Sequence, residues 1–150
     1  MIFLQWEQIV GLKQPPKSQT RRPVKPNEVL DHQAICGDTV YITDRVSFER
    51  IKWQMGRTYA VQPGRGKKSV GRIRITKIRR ERLGMPTEAD ARAEGCHAVT
   101  APGTIGFDRS PIGMFADLWN DIYGSGAWDR MCGDYVWVLE FECPKLPPSA

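Results

Sequence analysis

The chain has 150 residues, 41% of them hydrophobic and 26% charged, and it carries a formal net charge of +5. These values are typical of one globular domain with its own core, and they argue against a disordered chain. No apolar run approaches the roughly 18 residues of a membrane span, and the start lacks the features of a signal peptide, so we expect no membrane partner.

The N-terminal segment combines one short helical pattern with a polar turn. Apolar residues recur over positions 3–12 with the spacing of an amphipathic helix, and Gly11 lies near its C-terminal end. Pro15 and Pro16 prevent the helix from continuing. We therefore predict a helix over 3–12 and a polar turn over 17–22.

The middle of the chain contains short runs that are rich in β-branched and aromatic residues. They span residues 34–42, 45–53 and 57–62. The first two runs, separated only by Thr43 and Asp44, predict a hairpin, and the third ends in the turn signal of residues 63–66. Residues 69–82 predict a long strand, in which the alternation slips at Ile78 and indicates a bulge.

Two helices are predicted in the second half of the chain. The first begins at Thr87 as N-cap, with Asp90 completing a capping box, and ends before Gly95. The second begins at the Ser-Pro pair of 110–111 and ends at Gly124. Its buried stripe is predicted to be Ile112, Phe115, Leu118 or Trp119, and Ile122.

Residues 135–143 predict the last strand, with Trp137, Leu139 and Phe141 on one face. Strands outnumber helices, so the predicted fold class is mainly β with flanking helices (α+β), arranged as a small closed or half-open barrel. The pattern shows no repeat and no linker. It predicts a single domain over 1–143 and a flexible C-terminal tail over 144–150.

Positive charge is concentrated in two segments. Residues 10–26 hold five Lys or Arg and no acid, and residues 57–82 hold ten Lys or Arg and one acid, Glu81. Beyond residue 82, ten acids stand against four bases. This asymmetry favours a positive face that binds a polyanion. The alternative is that the acids fold beside the bases and balance them.

The four cysteines are scattered and include no C-x-x-C pair. They are Cys36, Cys96, Cys132 and Cys143. A disulfide framework would be denser, so the pattern favours the reducing cytoplasm. Zinc sites need ligands at paired spacings that this sequence lacks, and we expect neither a metal nor a cofactor.

The polar cluster after the first predicted helix holds the main candidate chemistry. Lys17 and Thr20 are three residues apart, which places them on one side of a helical turn but not of a strand. A lysine beside a hydroxyl lowers the cost of an alkoxide, and Arg21 and Arg22 suit phosphate or carboxylate. Glu94 meets the unfavourable end of a helix dipole and therefore needs a lysine partner or a catalytic role.

The glycine-rich turn at 63–66 is followed by two lysines but lacks the spacing of a phosphate loop. Its cations are Arg65, Lys67 and Lys68. These side chains could still contact phosphate, although a solvated turn is the alternative. Tyr59 and Trp128 lie near basic or loop segments, where aromatic rings are suited to stack bases unless they pack in the core.

Taken together, these segments resemble the ASCH family of the PUA-like superfamily. The match begins at Gly11, and its segments are 17–22, 56–67, 71–75, 87–95, 118–120 and 136–141. Their order and spacing extend over nearly the whole chain. The chain is most similar to the short ASCH proteins of bacteria and bacterial viruses.

The resemblance implies a PUA-like β-barrel with a cleft beside the first helix and a link to RNA. One bacterial branch removes the acetyl group of N4-acetylcytidine with a Lys, a Thr and a Glu, which here are Lys17, Thr20 and Glu94. Lys17 would be the base and stabilise negative charge, Thr20 would attack or orient water, and Glu94 would hold Lys17 or shuttle a proton. Another branch is associated with ribonuclease activity, for which Lys17 and Tyr59 are the candidates.

The sequence departs from the family pattern at two places. Family members usually have Gly-x-Lys-Thr-x-Thr, whereas extra residues here separate Gly11 from Thr20. Both Lys13 and Lys17 are therefore candidates, and we prefer Lys17 because the Lys–Thr distance is what the chemistry needs. Residues 24–55 add an inserted hairpin region that the smallest amidohydrolases lack.

We expect a cytoplasmic monomer, from a bacterium or a phage-infected cell, that binds RNA or a modified nucleoside in a basic cleft. Phosphates would be positioned by Arg21, Arg22, Arg57, Arg65, Lys67 and Lys68, with Tyr59 or Trp128 stacking a base. Deacetylation of an N4-acetylcytidine-type substrate, ribonuclease action and a purely structural role are the alternatives.

Overall fold

The structure, a computed structural model, describes residues 1–3, 5–32, 37–43, 49–97 and 110–144. The elements in chain order are α1 (Trp6–Ile9), β1 (Gln19–Pro23), β2 (Glu28–Asp31), β3 (Thr39–Thr43), β4 (Glu49–Gln54), β5 (Thr58–Val61), β6 (Gly71–Arg82), α2 (Glu88–Ala93), α3 (Pro111–Tyr123), α4 (Ala127–Met131) and β7 (Tyr135–Glu142). The predicted class, mainly β with flanking helices, is confirmed. Cys36, Asp44 and most of the predicted tail lie outside the described residues.

The described strands form two antiparallel sheets. One has the order β1-β7-β6-β5, and the other, within the predicted insertion of 24–55, has the order β2-β3-β4. The predicted hairpin is the β3–β4 pair, but the partner strand β2 was not predicted. Both sheets are open over the described residues, where no closed barrel is found, because the edge strands β1 and β5 do not pair with each other.

The central strand β7 is buried on both faces. Val136 and Val138 belong to one core cluster, together with residues of α3 and α4. Trp137 and Leu139 belong to a second cluster with Ile78 and residues of the smaller sheet. The sequence predicted the Trp137 face, and the second buried face explains why this strand is nearly continuous in apolar residues.

The long strand β6 carries the predicted irregularity. Its register against β7 shifts between Ile75 and Lys77. The shift changes the phase of the alternation, so that Ile73, Ile75 and Ile78 are all buried. The bulge prediction is confirmed.

Two predictions for the N-terminal segment are wrong. The helix is limited to Trp6–Ile9 instead of 3–12, since Gly11 has a left-handed φ of 83° and the chain turns there. The polar turn predicted over 17–22 is largely strand β1, which hydrogen-bonds along β7 from Gln19 to Pro23. Pairing with a buried central strand overrides the weak local β-propensity of these polar residues.

Helix α3 begins as predicted, with the Ser110 hydroxyl accepting from the backbone N–H of Gly113 at 3.1 Å. The stripe prediction is wrong at its two ends, because Ile112 and Ile122 are exposed. The buried positions are Pro111, Phe115 and Trp119. They repeat every four residues, so the buried face is rotated relative to the predicted one. Helix α4, with five residues, was too short to predict from periodicity.

Candidate active site

One pocket brings together the three predicted catalytic residues. It lies between the N-terminal segment, β1, the end of α2 and one face of α3, and its volume is about 280 Å³. Lys17, Thr20 and Glu94 line it together with Arg21 and Arg22. The structure therefore assembles one site from residues that are up to 77 positions apart in the chain.

Lys17 and Glu94 form a buried ion pair at the wall of this pocket. The Lys17 ammonium donates to Glu94 Oε2 at 2.9 Å and to the Glu94 backbone carbonyl at 2.9 Å. Their side chains are only 4% and 2% exposed. An ammonium has three donors, so these two bonds leave one N–H for a ligand.

Thr20 reaches the same pocket from strand β1, where it pairs with Leu139. The helical spacing argument for Lys17 and Thr20 is wrong, since Thr20 lies in a strand. Lys17 lies before the strand begins, so the alternation of side chains along β1 does not determine the side on which Lys17 lies. The backbone is fixed between them, because the Ser18 N–H donates to the Ala93 carbonyl at 2.8 Å.

The position of Glu94 follows from how α2 begins and ends. Thr87 and Asp90 form the predicted capping box, and Glu94 is the C-cap. Gly95 then takes a left-handed φ of 91°, with Gln8 of α1 packed so closely that a Cβ atom would lie 3.0 Å from its Oε1. Gln8 Nε2 also donates to the Gly95 carbonyl at 3.1 Å, which ties α1 to the end of α2.

Arg21 completes a network of buried charge. Its guanidinium donates to Glu94 Oε1 at 3.2 Å and to Glu81 at 3.1 Å, and lies 3.6 Å from Asp90. Its side chain has no exposed surface. Arg21 is therefore turned toward three carboxylates and holds the second oxygen of Glu94, so that both oxygens of this carboxylate accept from cations.

Asp90 joins this network through Arg79, which donates to its Oδ1 at 2.8 Å. Burial alone would raise the pKa of Asp90. The bonds from Thr87 and the charges of Arg21 and Arg79 outweigh that effect and hold the pKa below its ordinary value. The acids after residue 82 thus balance part of the basic segments, as the alternative interpretation of the charge pattern predicted.

An aromatic wall faces the charged residues. It is formed by Phe115, Trp119 and Tyr123, at successive i, i+4 positions of α3, with the Trp119 and Tyr123 ring centroids 4.3 Å apart. Burial raises the pKa of Tyr123, against a smaller lowering effect of Arg22. The Trp119 indole Nε1 is a buried donor without an acceptor in the described part of the chain.

The assignment of Trp119 to the core is confirmed, but the sequence did not show that this face of α3 would also line a pocket. The i, i+4, i+8 spacing of the three rings was a usable signal, because it places them on one helix face. Nothing in the sequence showed that this face would meet β1. Phe3 also lines the pocket, and Arg22 lies over its ring at 5.2 Å while donating to the Ile2 carbonyl at 2.7 Å.

The other predicted contact residues lie outside this pocket. Tyr59 accepts at its hydroxyl from the Gln54 N–H at 2.8 Å and packs between two core clusters. Burial raises its pKa, although the bond from Gln54 and the charge of Arg57 lower it. Tyr59, the second ribonuclease candidate, does not line the pocket that Lys17 lines.

The remaining cations lie on the β5–β6 hairpin or beside it. Arg57, Arg65, Lys67 and Lys68 are exposed there. Trp128, by contrast, makes an edge-to-face contact with Phe115 at 5.7 Å and is half-buried against α3. The structure thus separates a surface group of cations from the buried pocket.

Lys13 and Lys17, the two candidates for the family lysine, occupy different environments. Lys13 is exposed in the turn after α1, whereas Lys17 is buried against Glu94. The described residues include no group of three or more His, Cys, Asp and Glu side chains arranged to hold a metal ion. No helix among them is long and apolar enough to cross a membrane.

Comparisons of this chain with family models, with curated proteins and with solved structures find no match.

Proposed function

We propose that the chain is an ASCH domain of the PUA-like type that binds a modified nucleoside, free or within RNA, in the pocket of Lys17, Thr20 and Glu94. The observation that carries this proposal is the buried Lys17–Glu94 pair in the wall of a pocket of about 280 Å³. Small-molecule pockets begin near 300 Å³, so this cavity suits a ligand of nucleoside size.

The chemistry of the pocket suits a nucleobase with polar edges. Tyr123, the partly exposed ring of the aromatic wall, offers a surface for stacking, and the free N–H of Lys17 offers a donor to a carbonyl. Cytidine derivatives provide carbonyl and ring-nitrogen acceptors of this kind.

Amide hydrolysis is the second candidate, and it is favoured by the presence of Thr20 in the same pocket as the ion pair. Water would add to the acetyl carbonyl of N4-acetylcytidine, a proton of that water would pass to the N4 nitrogen as the C–N bond broke, and acetate and cytidine would leave. The Lys17 N–H would stabilise the negative charge on the carbonyl oxygen, and Thr20 would orient the water. Both Glu94 oxygens accept from cations, so Glu94 suits holding Lys17 better than carrying protons.

Binding is tested by calorimetric titration with N4-acetylcytidine and cytidine, and hydrolysis by chromatographic detection of cytidine. We expect both Lys17→Met and Glu94→Gln to weaken binding. Lys17→Met should also lower any turnover about 100-fold, the scale of losing one oxyanion donor, and Glu94→Gln should lower it by loosening the hold on Lys17. Lys13→Met removes an exposed lysine from the neighbouring turn and is the matched control.

Three outcomes are informative. Binding that is lost in Lys17→Met and kept in Lys13→Met supports the site, and cytidine release with the same pattern supports the enzyme. Binding without release supports a nucleoside-binding module. If wild type binds neither compound, or if Lys17→Met is folded by circular dichroism and binds normally, the proposal is wrong.

The PUA-like architecture and the cytoplasmic location belong to the same proposal. The two sheets share the β-rich, antiparallel character that the family implies. The scattered cysteines favour a reducing compartment, and Cys96, Cys132 and Cys143 are free thiols.

A further inference from the structure

A second cavity adjoins the nucleoside pocket. Its volume is about 520 Å³, and it shares Ile2, Arg22 and Tyr123 with the first pocket. The two cavities are therefore neighbours that meet at these three residues.

The charge of the second cavity is one-sided. Arg22, Lys25 and Lys52 line it, and no Asp or Glu is among its lining residues. The charge of Lys52 is partly balanced, because its ammonium donates to the Glu28 carboxylate at 2.5 Å. The side chain of Glu28 is only 1% exposed. Lys25 is exposed and has no ion pair in the described structure.

Arg22 is placed to act between the two cavities. One of its N–H groups donates to the Ile2 carbonyl at 2.7 Å. The guanidinium has five donors, so it retains donors for a ligand after this bond is made. Its contact with the Phe3 ring at 5.2 Å holds its plane in place.

We propose, on the basis of the nucleoside pocket proposed above, that the second cavity is a phosphate subsite and that the natural ligand is a nucleotide or an oligonucleotide. Arg22 and Lys25 contact the phosphate, and Lys52 adds to the positive potential. Arginine and lysine beside one another, without an acid between them, are the side chains that recognise phosphate. The cavity is larger than one phosphate and has room for part of a neighbouring nucleotide.

The test compares N4-acetylcytidine with its 5′-monophosphate and its 3′-monophosphate by titration calorimetry in phosphate-free buffer. We expect one of the two monophosphates to bind at least 10-fold more tightly than the nucleoside, the ratio that a hydrogen bond to a charged group supplies. The monophosphate that gains affinity identifies the side of the ribose that faces Arg22. If cytidine is released, the ratios of kcat/KM replace those of Kd.

Lys25 supplies the decisive variants, because it lines only the second of these two cavities. Lys25→Gln should reduce the advantage of the monophosphate several-fold, and Lys25→Glu should abolish it, while affinity for the nucleoside is unchanged. Lys13→Gln and Lys13→Glu remove or reverse the charge of an exposed lysine that lines neither cavity. They should leave the affinities for the nucleoside and for both monophosphates unchanged.

The outcomes separate this inference from the proposal on which it rests. If the nucleoside binds and neither phosphate improves affinity, the subsite is wrong and the nucleoside pocket stands. If a phosphate improves affinity equally in wild type and in Lys25→Glu, the phosphate lies elsewhere and the subsite is again wrong. If nucleoside and nucleotides all fail to bind, both proposals fall.

Discussion

At the scale of single residues, the site depends on charges that fold against one another. Glu94 is 1% exposed and accepts from Lys17 and Arg21. Removing one member of a buried ion pair leaves an uncompensated charge, which is more costly than replacing both members. Such a pair constrains the fold at the position where we propose that the ligand binds.

A double-mutant cycle tests this coupling. We expect Lys17→Met to lower the free energy of unfolding by about 3 kcal/mol, because Glu94 loses its closest partner in a buried site. Glu94→Gln should also destabilise the chain, and the double variant should lose less than the sum of the two. Urea denaturation at pH 7 measures all four proteins. Strictly additive losses would show that the two side chains act independently.

The reactivity of the Cys96 thiol tests how deeply the region around Lys17 and Glu94 is buried. Burial raises its pKa to about 11, with Lys17 lowering it and Glu94 raising it by smaller amounts. The thiolate is the reactive form, so we expect slow alkylation of Cys96 by iodoacetamide at pH 8 and faster alkylation of the exposed Cys132. Peptide mass spectrometry resolves the two sites. Equal rates at both would contradict the buried position of Cys96.

At the scale of elements, the sequence predicted best where a local rule fixes the structure. The capping box of α2, the helix that begins at Ser110 and the bulge in β6 follow from capping geometry or strand alternation. Strand β1 was missed because its residues are polar and gain strand structure only by pairing with β7. The meeting of Lys17, Thr20 and Glu94 in one pocket agrees with the polar cluster, the need of Glu94 for a lysine partner and the family pattern, whereas the aromatic wall required knowing which elements pack together.

The contribution of Asp90, in helix α2, to the stability of the fold depends on pH. The folded-state pKa of Asp90 lies below the ordinary value near 3.9 for aspartate. Its contribution to stability is therefore complete above that value and is lost as the pH falls through the folded-state pKa. We expect Asp90→Asn to lower the urea midpoint at pH 7 and to flatten the loss of stability below about pH 4.

The control for this effect is Asp129→Asn, which changes an exposed aspartate on α4. Its acid-induced loss of stability should match that of wild type, because the residue lies outside the Arg21–Arg79 network. A wild-type pH profile in Asp90→Asn would mean that the contacts of Asp90 with Thr87 and Arg79 do not favour its ionised form in the folded chain.

At the scale of the whole molecule, folding redistributes the charge asymmetry of the sequence. Arg21 and Arg79 are neutralised by acids from β6, α2 and β7. Arg57, Arg65, Lys67 and Lys68, on or beside the β5–β6 hairpin, remain exposed and have no ion pair in the described structure. These exposed cations remain available to contact phosphate, whereas the charges of Arg21 and Arg79 are balanced within the fold, so the positive face lacks two of the cations that the sequence suggested for it.

The salt dependence of RNA binding measures how many of these cations contact phosphate. Each phosphate contact to single-stranded nucleic acid contributes about −0.7 to the slope of log K against log salt concentration. If the hairpin binds RNA, Lys67→Gln with Lys68→Gln should weaken binding at low salt and make the slope shallower by about 1.4. Fluorescence anisotropy with a labelled single-stranded RNA, from 50 to 300 mM salt (roughly the range over which such contacts are screened), provides both quantities.

A second double variant separates specific contacts from net charge. Lys13→Gln with Arg92→Gln also removes two exposed cations, one in the turn after α1 and one on α2. Because both double variants lower the net charge equally, a purely long-range attraction would weaken them equally. We expect the slope to change only in the hairpin variant. An identical change of slope in both double variants would mean that RNA is attracted by the overall charge of the molecule. The hairpin would then have no specific role in RNA binding. The nucleoside pocket would still be tested separately, by its own variants.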